Sequence, residues 1–228
     1  MIAEEISLTD KPSDLSESHG KTLECIRNCI EKAIFPFKKV IIQKNIKPKL
    51  NEIKMTQILV EQIGFQLINY CNIAVNCGYS DLFFGTKGVS DFYFYHPEEG
   101  KTNLPLFVVE SKRLPAPSHK KIREKEYVIG NKENGGIERY KKEIHGKRLS
   151  ECGMIGFIEN YASSYWLNTI NIWIQNLANT DSKWDKDEQL VLKGNFNDYS
   201  YLVSIAHREV VDKDVLLHHW WINCERKI

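Results

Sequence analysis

The stretch that decides the fold is LPLFVVESKRL, residues 104–114. An apolar, β-prone run leads directly into Glu110, Lys112 and Arg113. On a strand, successive side chains alternate between faces, so Leu106, Val108, Glu110 and Lys112 share one face and Phe107, Val109 and Ser111 take the other. An apolar face that ends in a carboxylate and an ammonium needs partners or a ligand there, because burying either charge alone is costly.

Upstream, SDFYFYH (90–96) is a second strand, joined by the turn-forming PEEGKTN. The pair is expected to form an antiparallel hairpin. Asp91, Tyr93 and Tyr95 share one of its faces. If that is the face of Glu110, two carboxylates and one ammonium converge. Before the hairpin, residues 51–71 have the period of an amphipathic helix, with Asn51 as cap and Glu52 in the first turn. Glu52 falls at the end of the stripe Met55, Thr56, Leu59, Ile63 and Leu67, whereas Glu61 lies on the polar side.

Further out, residues 1–20 are polar and expected to be a flexible segment. A helix is expected over 21–34, ahead of Pro36, and a basic linker ends at Pro48. After the hairpin, 119–146 reads as a basic, largely helical region interrupted by GNKENGG. A buried strand is expected at 153–159. Trp166, Ile170, Trp173, Ile174 and Leu177 place a helix at 163–178. QLVLKG, YSYLVSIAHR and VLLHHWWINC are strand-like. The expected organisation is one α/β domain over 21–228, with a mixed sheet flanked by helices, a core at about 51–160 and a C-terminal helix and strands over 161–228.

Composition is that of a globular protein, with 228 residues, 42% hydrophobic and 27% charged. No apolar run approaches a membrane span, and the acidic start does not resemble a secretion signal, so a cytoplasmic location is expected. The six cysteines form no C-x-x-C pair. Cys25 and Cys29, one helical turn apart, read as small core residues rather than a zinc pair. Net charge is +1, yet Lys112–Arg148 holds twelve Lys/Arg against five Asp/Glu. That asymmetry is compatible with a polyanionic ligand and equally with a solvated helical face. Within it, Arg113, Lys120, Lys121, Arg123, Arg139, Lys141 and Lys142 are candidate phosphate contacts. His145, His207, His218 and His219 show no metal-ligand spacing, and Trp220-Trp221 reads as core.

Two carboxylates with room for water suit Mg²⁺ or Mn²⁺, hard cations that keep much of their hydration shell. Such an ion can polarise a phosphodiester and acidify a bound water. A nearby lysine can orient that water, stabilise charge on phosphoryl oxygens or, with a lowered pKa, act as a base. Asp91 followed by Glu110-Ser111-Lys112 resembles the PD-(D/E)XK nuclease superfamily, whose fold is restriction-endonuclease-like. Acid-x-Lys occurs five times in the chain, but only Glu110-x-Lys112 closes an apolar strand behind an Asp-bearing one. Val89-Ser90 stands where the superfamily has a proline before the Asp.

The resemblance implies a core of a helix, three antiparallel strands, a helix and a further strand (αβββαβ). It implies Asp91 and Glu110 as metal ligands, assisted by the Ser111 carbonyl, with Lys112 at the water and Glu52 supporting the metal. The expected activity is Mg²⁺-dependent hydrolysis of DNA. LLHHWW and IAHRE resemble segments of small bacterial nuclease-like proteins, some tied to phage defence and restriction. The alternatives are a catalytically silent nucleic-acid-binding or assembly subunit of a larger complex, and an RNase on the same core. A homodimer would suit duplex cutting, and a regulatory protein partner would restrain a free nuclease.

Overall fold

A computed structural model describes residues 12–43, 50–68, 72–116, 125–132, 134–209 and 213–225, the side chains of 12–18 excepted. The expected phosphate contacts Lys120, Lys121 and Arg123 lie outside the described residues.

α1 (Pro12–Ile41) buries Ile26, Ile30, Ala33, Phe37 and Ile41, spaced by three or four residues down one stripe. It begins inside the stretch expected to be loose. It also runs through Pro36, where the sequence predicts a stop. A proline removes one helical hydrogen bond and crowds the preceding turn. Here Phe37 and Ile41, both buried in the core, carry the helix past it.

α2 (Glu52–Leu67) starts at the expected cap, where Asn51 Oδ1 accepts from Lys54 N at 2.9 Å. Met55, Thr56, Leu59, Val60, Ile63 and Leu67 are buried, and Glu61 is exposed and bonded to Gln57. The helix ends at Leu67, short of the expected Cys71.

Seven strands form one mixed sheet. They are β1 (Ala74–Ser80), β2 (Val89–Tyr95), β3 (Pro105–Leu114), β4 (Glu151–Ile158), β5 (Val191–Asn195), β6 (Tyr199–Ala206) and β7 (Val215–Asn223). Their spatial order is β1-β2-β3-β4-β7-β6-β5. β3, β4 and β7 run parallel, and every other neighbouring pair is antiparallel. The expected hairpin is β2–β3, with Phe92 opposite Val109 and Tyr93 opposite Val108. β1 was not anticipated: AVNCGYS is mostly exposed, so it lacks the apolar alternation that marks a strand.

Two cores lie on the two faces of this sheet. α1 and α2 cover Phe92, Phe94, Phe107, Val109, Ile155, Phe157, Trp220 and Ile222. α3 (Gly136–Lys141) and α4 (Ser163–Thr180) cover Val108, Leu114, Cys152, Met154, Leu202 and Trp221. The adjacent Trp220 and Trp221 therefore enter opposite cores, as strand alternation requires.

Of the segment expected to be largely helical over 119–146, residues 119–124 and 133 lie outside the described residues, and the described part holds the six-residue α3 joined by turns. Its polar residues are tied down by tertiary partners instead. Tyr140 donates to Gly153 O at 2.8 Å, fixing α3 over β4. No helix among the described residues is long and apolar enough to cross a membrane.

Candidate functional site

The alternation along β3 is confirmed by its packing. Val108 and Leu114 enter one core, and Phe107 and Val109 enter the other. Glu110 and Lys112, between Val108 and Leu114, therefore point toward the α3 side. Tyr93 of β2 packs on that same side, and Asp91, two residues earlier, shares its face. The strands thus bring Asp91, Glu110 and Lys112 together at the C-terminal end of β3.

Each group is held by a specific partner. Asp91 Oδ2 accepts from Ser111 N at 2.6 Å. Glu110, 1% exposed, takes Lys112 Nζ at 2.6 Å and Arg139 Nη1 at 2.8 Å, both on Oε1. His145 Nε2 stands 3.2 Å from Glu110 Oε2, but off the direction of a hydrogen bond, so Oε2 is buried with none. The first turn of α2 brings Glu52 Oε2 to Arg113 N at 3.0 Å and Oε1 to within 4.0 Å of Lys112 Nζ. Glu52, not Glu61, is the helix acid at the site.

Three carboxylates, Glu52, Asp91 and Glu110, thus surround two cations, Lys112 and Arg139. The imbalance falls on Asp91. Burial and then the charge of Glu110 push its carboxyl up to about 7, against the pull of Lys112 and the Ser111 amide. Burial also raises Glu52, opposed by Lys112 and reinforced by Glu110. Burial acts upward on Glu110 too, but Lys112, His145 and Arg139 together hold it down at about 2. For Lys112, burial favours the neutral amine. Glu110, Glu52 and Asp91 outweigh it and raise the ammonium above the usual lysine range. Without a metal, Lys112 is therefore an ammonium among its acids.

The remaining expected contacts scatter. Arg113 forms a two-pronged pair with Glu159, with Nε to Oε1 at 2.8 Å. Lys142 is bonded to Glu138 at 2.9 Å. Lys141 is 1% exposed, with its ammonium on the fully buried Glu188 and 4.7 Å from the centre of the Trp184 ring. The structure thus places Lys141 in a buried ion pair rather than on the surface.

Arg139 was expected at a phosphate and instead holds Glu110. His145 and Glu126 were not expected at the site. Glu126 is buried near Glu52 and raises its pKa. Arg139 and His145 are six apart, which is no helical spacing. They meet because Arg139 O accepts the amides of both Ile144 and His145, folding the chain back after α3.

The donor chemistry fits a hard divalent cation. All three acids offer oxygen, one buried oxygen lacks a hydrogen bond, and the acids outnumber the nearby cations. Mg²⁺ needs only one or two protein carboxylates besides water. Among the described residues, however, no three His, Cys, Asp or Glu side chains are gathered as ready ligands. Asp91 is turned to the Ser111 amide and Glu110 to Lys112. The fold and site define a mixed α/β protein with a buried, acid-rich charged cluster at a strand end. No known family's sequence profile matches the chain, and neither curated proteins nor solved structures gave a match.

Proposed function

We propose that the protein is a metal-dependent nuclease that hydrolyses phosphodiester bonds of DNA on a restriction-endonuclease-like core. One observation carries the reading: Asp91, Glu110 and Lys112 converge on one face, with Glu52 of the preceding helix beside them. The order α2, three antiparallel strands, α3, β4 parallel to β3 supports it, being the order the resemblance implies.

In this reading Asp91 and Glu110, helped by Glu52 and the Ser111 carbonyl, hold Mg²⁺ or Mn²⁺. When bound, the ion polarises the phosphodiester and acidifies a water. Lys112 would donate to the attacking water or to a phosphoryl oxygen. Arg139 positions Glu110. The test is cleavage of plasmid, linear duplex, single-stranded DNA and RNA with Mg²⁺, Mn²⁺ or chelator. Lys112→Ala is expected to abolish metal-dependent cutting and keep its circular dichroism spectrum. Cutting at the wild-type rate by that variant would sink the assignment, and a preference for RNA would move the substrate to the other polymer.

A second reading has its own observation. Lys112 and Arg139 already satisfy Glu110 Oε1 without a metal, as a silent nucleic-acid-binding or assembly subunit would allow. It predicts no heat of Mn²⁺ binding and no cutting of any substrate.

A further inference from the structure

A second charged feature lies at the other end of the parallel strands. A cavity of about 750 Å³ is lined by Glu143, Lys147, Arg148, Arg208, Lys213 and Asp214. That is within the usual range for a small-molecule site, roughly 300–1,000 Å³. It opens beside Ser150, at the start of β4, whereas Glu110 pairs in register with Met154, further along the same strand. Four residues of strand separate the two features by roughly 13 Å. The loop after α3 contributes Glu143, Lys147 and Arg148, the segment after β6 Arg208, and the entry to β7 Lys213 and Asp214.

The lining is basic and incompletely satisfied. Arg208 is 97% buried by its side chain, which is 3% exposed. Its Nη2 is clamped by Gly146 O at 2.7 Å and Leu149 O at 2.6 Å. Its Nε has no hydrogen-bond partner among the described residues, and neither has the buried Glu143 Oε1. The two residues form a loose ion pair, but Nη1 and Oε1 are 3.8 Å apart, beyond a hydrogen bond, so neither supplies the hydrogen bond the other lacks.

Lys147 is bonded to a neutral carbonyl, Phe84 O, and the Arg148 guanidinium sits on the Phe84 ring. Neither these two nor the exposed Lys213 has a carboxylate partner among the described residues. Asp214 is already taken by His207 Nδ1 at 2.8 Å. A fixed buried guanidinium, three uncompensated cations and one orphaned carboxylate acceptor call for a ligand with both phosphoryl oxygens and a hydroxyl.

We propose that this cavity binds a phosphorylated ribose of nucleotide size, with phosphoryl oxygens at Arg208, Lys147, Arg148 and Lys213, and a sugar hydroxyl donating to Glu143. This is independent of the nuclease reading. Charge-assisted hydrogen bonds to a clamped guanidinium are the strong kind. With Asp214 held by His207, Glu143 is the acid left to select hydroxyl-bearing phosphates over inorganic phosphate, whose oxygens it repels.

Calorimetric titration of the full chain tests it, with AMP, ribose 5-phosphate, inorganic phosphate and free ribose as probes. AMP and ribose 5-phosphate should bind more tightly than phosphate, and ribose not at all. Lys213→Glu, on an exposed residue, should weaken both phosphorylated sugars by at least ~10-fold, about 1.4 kcal/mol. Glu143→Gln should bring ribose 5-phosphate down to the affinity of phosphate. If that variant does not fold, Lys213→Glu decides. The proposal falls if neither phosphorylated sugar binds with a Kd below about 1 mM, or if Lys213→Glu changes nothing. It falls too if only a single-stranded oligonucleotide binds.

Discussion

Asp91 concentrates the electrostatic imbalance of the site, and its titration is the most direct handle on it. Its pKa of about 7 in the folded protein lies above the unfolded value of about 4, so the native state holds this proton longer. Stability from this group is therefore highest at low pH and falls as pH rises from about 4 to about 7. Three units correspond to at most about 4 kcal/mol. Asp91→Asn should remove that slope. In urea titrations its stability relative to wild type should rise between pH 4 and pH 8, and a constant difference would contradict the assignment. Glu110 has the opposite sign. Its depressed pKa contributes stability above about 4.5 that is lost as pH falls toward 2. A divalent cation at Asp91 would displace its proton. At pH 6.5, Mn²⁺ binding should release roughly 0.8 proton, read calorimetrically in buffers of different ionisation enthalpy. Release of no proton would place the metal elsewhere.

The element that determines the site's shape is α3 with the loop behind it. Gly146 has φ +62°, and a Cβ there would run into Cys152 Sγ. Gly146→Ala should cost about 1–3 kcal/mol, read as a lowered melting temperature. It should also disturb His145 and Lys147, one at each charged feature. An unchanged melting temperature would mean that the loop rearranges freely. Lys141 makes a related point. Lys141→Ala would leave Glu188 buried and unpaired, and should destabilise by about 3–5 kcal/mol. On the proposed nuclease reading, the same variant should leave DNA affinity per folded molecule unchanged, since the ammonium is buried on Glu188. Binding lost at full stability would restore Lys141 to the phosphate contacts.

For the molecule as a whole, the two cores share one sheet, and β7 contributes adjacent tryptophans to both. Neither core can open without exposing a face of the other's strands. Unfolding in urea should be a single transition, with tryptophan fluorescence and far-ultraviolet circular dichroism superimposed. Separate midpoints would show that the two layers fold independently. The expected homodimer and DNA contacts belong to the same scale. Among the described residues of the expected basic segment, Lys112, Arg113, Arg139, Lys141 and Lys142 pair with Glu110, Glu138, Glu159 and Glu188, while Lys125, Lys132 and Arg148 are exposed.

What the sequence by itself determined was set by local rules. Strand alternation put Glu110 and Lys112 on one face of β3, and helical periodicity placed Glu52 rather than Glu61 at the buried stripe; that Asp91 shares the face of Glu110 came only with the packing of the hairpin. Apolar periodicity found α2, α4, β4 and the C-terminal strands. What tertiary structure decided lay where local rules conflict or fall silent. Core packing carried α1 through Pro36. Pairing with β2 made a strand of the polar β1. Buried acids drew Arg139 and Lys141 inward, although their spacing on a basic helix reads as a solvated face. A charge shows its sign in the sequence, but its partner comes from a distant segment, and the cost of burying it alone makes that partner decide where it points.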